Sequence, residues 1–198
     1  MSWWDYGSDA VQDTLTLLDD NGIGTVGGGA NYTEAHQPFV KAIQNTKIAF
    51  LGYTNLISSS LGSKTAKPSI ALLDIEQAIA DIKEARRIAD LVVVSLHWGN
   101  EYETSHNSEQ ERIARALIDA GAQLVIGHHP HVIQTVAEYG GGYIAYSLGN
   151  FVFDQNFSPE TKTGLLLKVT LKDKRISQIE QIKIAFTPSY QPYLFSSR

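Results

Sequence analysis

Two short apolar runs, Leu91-Val92-Val93-Val94-Ser95-Leu96 and Leu124-Val125-Ile126, lead straight into histidine: His97 after the first, His128, His129 and His131 close behind the second. Runs this short and this rich in branched side chains suit buried strands, and each follows a stretch of helical periodicity. Between Asp74 and Ala89, Ile75, Ile79 and Ile82 fall on one helical face. A second helix is expected from about Glu109 to Ala120, started by Ser108 and closed by Gly121. Strand alternating with helix restricts such a chain to an α/β sheet with helices outside it. It also sets the histidines at strand ends, where open α/β sheets bind their ligands.

Upstream, Ser8 to Asp20 reads as a helix, with Val11, Leu15 and Leu18 inward and Asn21-Gly22 as its stop. A short strand, Ile23 to Val26, is expected to run into Gly27-Gly28-Gly29; Thr33 to His36 is a helical turn ended by Pro38, and Lys47 to Thr54 a buried strand. Ser58 to Ser69, rich in serine, glycine and lysine, reads as a mobile loop. Beyond His131 the pattern turns to hairpins. Val132–Glu138 and Tyr143–Ser147 flank Tyr139-Gly140-Gly141-Gly142, and Leu165–Leu171 and Ile176–Phe186 flank Lys172-Asp173-Lys174-Arg175. One α/β (α+β) domain over residues 1–198 is expected, a mixed sheet or pair of sheets flanked by helices.

With 198 residues, 43% of them hydrophobic, the chain can bury a sizeable core. A formal charge of −5, and no basic cluster denser than Arg86-Arg87 or Lys172-Asp173-Lys174-Arg175, argue against nucleic acid as a partner. No apolar run approaches the ~20 residues of a membrane span. Met1-Ser2-Trp3-Trp4-Asp5 carries no signal or anchor, so the chain reads as cytoplasmic as written. There is no cysteine, so any metal is held by histidine, carboxylate, amide or water, which suits Mn, Fe, Zn or Mg.

On irregular backbone the spacing of His129-Pro130-His131 can aim two imidazoles at one site, while His128 points the other way in an extended chain. At most two of the three then share a centre directly; the competing reading is a polar turn whose histidines cap carbonyls. His97, with Glu101 four positions on, would alone read as a satisfied edge histidine. The stretch Ser147 to Asp154 begins at a strand end and adds an amide, Asn150, and a carboxylate, Asp154; as a plain turn it would put Asn150 in the left-handed region with Asp154 capping. Gly27-Gly28-Gly29 lacks the spacing and the lysine of a P-loop. His36 and His106 are expected to be solvated in polar loops, and the aromatic tail Tyr190 to Phe195 to pack on the core or on missing sequence.

Three segments in order, Leu96-His97-Trp98-Gly99-Asn100-Glu101-Tyr102, Gly127-His128-His129-Pro130-His131-Val132 and Tyr146-Ser147-Leu148-Gly149-Asn150-Phe151, resemble the bacterial CapA-like family of capsule or poly-gamma-glutamate biosynthesis proteins, within the calcineurin-like metallophosphoesterase superfamily. Asp5-Tyr6-Gly7 and Gly27-Gly28-Gly29-Ala30-Asn31 resemble it too, so the likeness covers essentially residues 5–186. It implies a sandwich of two mixed β-sheets flanked by helices, with metal at the strand ends. His97 is implied to be a metal ligand, that of the superfamily's lone-histidine motif. The Gly-His-x-His motif falls on Gly127 to His131, where the extra histidine leaves the register ambiguous. His129 and His131 are favoured as ligands, with His128 beside them or in place of one. Glu101 and Asn150 are implied to line the site, and no residue is given a catalytic role.

The superfamily's opening aspartate motifs and Asn-His pair would fall ahead of Asp5. The resemblance therefore implies an N-terminally truncated domain lacking the first strands. It also implies an impaired phosphoesterase-like site with a single weak divalent cation (Mn, Fe, Zn or Mg), and a bare sheet edge that favours a homo-oligomer. The implied partners are an anionic small molecule or polymer and the membrane proteins of capsule synthesis, with full-length relatives at the extracytoplasmic face of the membrane. The alternative function is a non-catalytic metal- or polyanion-binding assembly module; a weaker one is a metallohydrolase of amide bonds.

Overall fold

The computed structural model of the chain describes residues 7–57 and 67–195. Met1 to Tyr6, with the Asp5-Tyr6 part of the family segment, lie outside the described residues, as does most of the loop expected from Ser58 to Ser69. The chain forms two compact units, one ending at Leu96 and one beginning at His97.

In the first unit, helix α1 (Gly7–Asp20) buries Val11 and half-buries Leu15 and Leu18. Gly22 takes a φ of 68°, and the Ile23 N–H returns to the Leu18 carbonyl at 2.9 Å, the expected stop. The strand expected over Ile23 to Val26 does not form. Gly27, at a φ of 77°, turns the chain hard against the backbone of Gly52, and pairing starts only at β1 (Gly28–Gly29), antiparallel to β4 (Ser69–Ile70). Helix α2 (Tyr32–Ala35) is capped by Asn31. Strand β2 (Phe39–Ile43) pairs antiparallel with β3 (Thr46–Thr54). All five β2 residues are exposed, so no alternation marks it in the sequence. In helix α3 (Ile75–Ile88), the Asp74 side chain accepts the Gln77 N–H, and Ala78, Ile82 and Ala85 are buried. The inward face is thus mostly alanine, which the isoleucine spacing marks only in part. Strand β5 (Leu91–His97) buries Leu91, Val92, Val94 and Leu96 and leaves His97 exposed.

In the second unit, helix α4 (Ser108–Asp119) starts one residue earlier than expected. Its cap is Asn107, not Ser108: Asn107 and Gln110 exchange side-chain bonds to each other's backbone N–H. Strand β6 (Leu124–His128) runs two residues beyond Ile126, so His128 belongs to the strand. Strands β7 (Val136–Tyr139) and β8 (Gly142–Ala145) make the first expected hairpin, shorter than its sequence signal. Strands β9 (Thr163–Lys172) and β10 (Arg175–Phe186) make the second, across Asp173 and Lys174, both at positive φ. Strand β11 (Pro192–Leu194) pairs with β10, with Tyr193, Leu194 and Phe195 exposed rather than packed on the core.

The first unit holds the strand order β2-β3-β5 and the β1-β4 pair; the second holds the order β6-β8-β7, parallel between β6 and β8 and antiparallel between β8 and β7, and a three-stranded antiparallel sheet, β11-β10-β9. With α3 against β3 and α4 against β6 and β8, the chain has the expected α/β class. Its second sheet is purely antiparallel. Among the described residues no helix is long and apolar enough to cross a membrane.

Two histidines expected in solvent are packed instead. His36 caps the C-terminus of α2 and is 7% exposed, its Nδ1 2.8 Å from Asp81 Oδ2 and its ring under Tyr32. His106 stacks on Tyr146 at 3.7 Å. Each sits at a helix terminus, where the turn folds the ring back onto an aromatic neighbour, a relation that linear sequence does not display.

Candidate metal centre

As the chain leaves β5, the Trp98 N–H donates to the His128 carbonyl at 3.1 Å. The Trp98 indole N–H donates to the Tyr146 carbonyl at 3.0 Å, and the ring is wholly buried. Gly127 occupies the space between: any Cβ there would run into the Tyr146 carbonyl and the Trp98 indole nitrogen. Close backbone approach therefore demands glycine immediately ahead of the histidine cluster.

Past β6 the backbone becomes irregular. His129 has a φ of 98° and His131 one of 59°, both in the left-handed region that non-glycine residues avoid. Pro130 between them is buried, and its carbonyl accepts the Tyr102 N–H at 2.8 Å, which secures the turn. Strain of this kind persists where the surroundings over-determine it, and it recurs at functional sites. Here it sets the two histidine rings on a turn beyond the strand end. The rings of His129 and His131 lie 5.8 Å apart, and their ligand atoms and a carboxylate oxygen of Glu101 all fall within 4.8 Å of one another. The His97 ring stands edge-on to His129 at 4.8 Å. His128, still on the strand, is not in the group.

Asn150 is 5% exposed and follows Gly149, which itself takes the left-handed turn at a φ of 69°. The Asn150 Nδ2 donates to the Thr161 carbonyl at 2.9 Å, so its Oδ1 is turned to His131 Nδ1, also at 2.9 Å. An amide oxygen can only accept, so His131 carries its proton on Nδ1 and presents the Nε2 lone pair. Tyr102 and Phe153 flank the His131 ring, at 6.0 and 4.9 Å between centroids. Sequence reasoning did not assign these two aromatics. The available signals were the tyrosine that closes the Glu101 motif and the Phe-Val-Phe run that follows Asn150.

His97, His128 and His129 favour their neutral form. Loss of part of its hydration among the neighbouring rings pushes His97, whose side chain still reaches solvent, down to about 4, helped by the positive charges that His129, His128 and His131 would carry. Burial lowers His128 as well. It also lowers His129, where the Glu101 charge opposes it and His131 reinforces it. Neutral imidazole is the metal-binding form. Two imidazole nitrogens and one carboxylate oxygen within 4.8 Å of one another form a donor set that suits a divalent cation.

The residues singled out in the sequence are thus distributed unequally. Glu101, His129 and His131 come together, Asn150 holds His131, and His97 adjoins through His129. His128 is set apart, and Asp154 is not in the group.

The family described as bacterial capsule synthesis protein PGA_cap matches residues 3–155. The PGA biosynthesis protein CapA of Bacillus subtilis (strain 168) is 37% identical over 177 residues, 89% of this chain and 46% of that protein. The capsule biosynthesis protein CapA of Bacillus anthracis is 35% identical over 187 residues, 91% of this chain and 44% of that protein. The chain therefore spans about half the length of these relatives. Among solved structures, the Thermus thermophilus sulfate thiohydrolase SoxB in complex with glycerol overlaps 73% of this chain and 24% of its own, at 18% identity and a TM-score of 0.47. On the match over residues 3–155, the chain belongs to the bacterial capsule synthesis protein family PGA_cap.

Proposed function

We propose that this chain carries the histidine-rich part of a divalent-metal site in a protein of capsule or poly-gamma-glutamate biosynthesis, with a phosphoesterase-like chemistry. The observation behind this reading is the convergence of Glu101, His129 and His131, with the His131 tautomer fixed by Asn150. Mn is the first candidate among Mn, Fe, Zn and Mg, since two nitrogens and one oxygen form an intermediate donor set. When bound, the cation supplies Lewis acidity toward a phosphoryl or acyl oxygen.

The chain's own residues do the rest. Glu101, His129 and His131 hold the cation, and Asn150 keeps the His131 proton on Nδ1. His97, neutral down to about pH 4, offers a further imidazole beside His129. Tyr102 and Phe153 flank the His131 ring. The partners under this reading are an anionic polymer or small molecule, other copies of the chain and the membrane proteins of capsule synthesis, at the extracytoplasmic face.

Elemental analysis combined with turnover of a chromogenic phosphodiester tests the reading. Bound Mn or a similar cation is expected, with turnover lost in His97→Ala and His131→Ala. Strong turnover unaffected by both substitutions would contradict it. A second reading, a binding or assembly module that holds metal without turnover, is favoured by one feature. Glu101 is the sole carboxylate of the group among the described residues, and binuclear hydrolases need further oxygen ligands. Metal without turnover would point there.

A further inference from the structure

The core of the second unit holds two glutamines that the metal reading leaves unused. Gln110, on α4, is 2% exposed, and Gln134, between β6 and β7, is 3% exposed. An amide buried this deeply costs free energy unless its donors and its acceptor are matched, so the bonds it makes show what it holds. The Gln134 Oε1 accepts the Gln110 side-chain N–H at 3.1 Å. The Gln134 Nε2 donates to the Glu103 carbonyl at 2.8 Å and to the Ser105 carbonyl at 3.2 Å, which uses both of its hydrogens. Reversing the amide would set its oxygen against two carbonyls, so only one orientation serves. The backbone N–H of Gln134 donates to the Ser147 carbonyl at 3.0 Å, which fixes the residue to the core at its own end.

Both carbonyls belong to the segment that brings Glu101 to the histidines. Residues Glu101 to Ser105 are all exposed and form neither helix nor strand, so little apolar packing holds them in place. Their backbone is pinned by hydrogen bonds and close contact instead. Ahead of Glu101, Gly99 lies so near the Gln110 side chain that a Cβ would meet its Nε2 at 2.8 Å. Behind it, the Asn107 N–H donates to Gln110 Oε1 at 3.0 Å. Between these points the Tyr102 N–H reaches the Pro130 carbonyl, and Gln134 holds Glu103 and Ser105. Of the three groups that converge, only Glu101 lies outside the His129–His131 turn, so its place depends on this segment.

We propose that Gln134 is a positioning residue for the metal centre: its buried amide holds the Glu103 and Ser105 carbonyls so that the Glu101 carboxylate stands beside His129 and His131 before a cation arrives. This rests on the metal-site reading, and a double-mutant cycle separates the two. Mn²⁺ affinity of the metal-stripped full chain is measured by isothermal titration for the parent, Gln134→Met, Glu101→Gln and the double variant. Gln134→Met keeps nearly the same length and removes the two donors. It is expected to weaken Mn²⁺ about tenfold in the parent and less than about twofold once Glu101→Gln is present. A merely structural role weakens both backgrounds alike, so an equal loss in the two overturns the proposal, as does no loss in either. Unchanged affinity in Glu101→Gln instead removes the metal-site reading, and the proposal with it. The parent alone supplies a second test that needs no variant to fold: amide NMR relaxation over Glu101 to Ser105 without and with diamagnetic Zn²⁺. Amides as rigid without the cation as with it are expected. A segment that is mobile until Zn²⁺ is added overturns the proposal.

Discussion

The Oδ1 of Asn150 sits 2.9 Å from Nδ1 of His131, and the opposite end of the same amide is anchored on the Thr161 carbonyl at 2.9 Å. A metal-binding imidazole is typically oriented by such a partner on its other nitrogen, and loss of that partner weakens metal about 10–100-fold. Asn150→Ala is therefore expected to weaken Mn affinity by that factor. The side chain is buried, and its removal also strands the Thr161 carbonyl, so the fold loses about 1–3 kcal/mol. Calorimetric Mn titration and urea unfolding of the variant read the two effects separately.

His97 is expected to titrate near pH 4 in the metal-free protein, far below the ordinary imidazole value of about 6.5. Because its folded pKa is lowered, the unfolded chain binds the extra proton first as pH falls. Its contribution to stability is whole above about 6.5 and declines as pH drops from there toward 4. Histidine ring-proton NMR against pH measures the midpoint. A midpoint at or above 6.5 would mean that His97 is not crowded by the other imidazoles.

Gly127→Ala inserts a methyl group into space held by the Tyr146 carbonyl and the Trp98 indole nitrogen. Neither can retreat without breaking the 3.0 Å bond between them. A loss of about 1–3 kcal/mol in urea unfolding is expected, with weakened Mn binding because the histidine turn shifts. A variant as stable as the parent would show that this crossing is looser than described.

The His36–Asp81 pair gives a stability prediction away from the metal. Burial pushes the Asp81 carboxyl up, but hydrogen bonds from His36, Gln77 and Tyr53 outweigh it and leave the group below its ordinary value. A lowered carboxyl contributes stability that is present above the unfolded pKa, about 3.9, and is lost as pH falls through the folded one. Asp81→Asn is expected to be less stable than the parent at pH 7, with the gap closing below about pH 3.9. Urea midpoints across that range give the answer.

How much of this was legible in the sequence varies with the physics behind each element. Helices α1 and α3, strands β3 and β5 and the β9–β10 hairpin carry strong periodicity or turn chemistry, and each lies close to where the sequence puts it. Strand β2 was invisible because an edge strand exposed throughout shows no alternation. Ile23 to Val26 looked like a strand but has no ladder, since Gly27 turns away before pairing begins. At the site, the resemblance favours His129 and His131, leaves His128 beside them or in place of one, and implies that Glu101 lines the site. That a Glu101 oxygen and both imidazoles fall within 4.8 Å of one another, on a turn with positive φ at each histidine, is visible only in the folded chain. The burial of His36 and His106 depends on aromatic neighbours, Tyr32 and Tyr146, that only the folded chain brings to them.

The central claim is that Glu101, His129 and His131 hold one divalent cation. Isothermal titration of the metal-stripped protein with Mn²⁺ at neutral pH, alongside Glu101→Gln, His129→Ala and His131→Ala, tests it most directly. One site per chain is expected, weakened at least about tenfold by each substitution, while His128→Ala keeps it. Binding that survives both His129→Ala and His131→Ala, or that His128→Ala alone abolishes, would contradict the account.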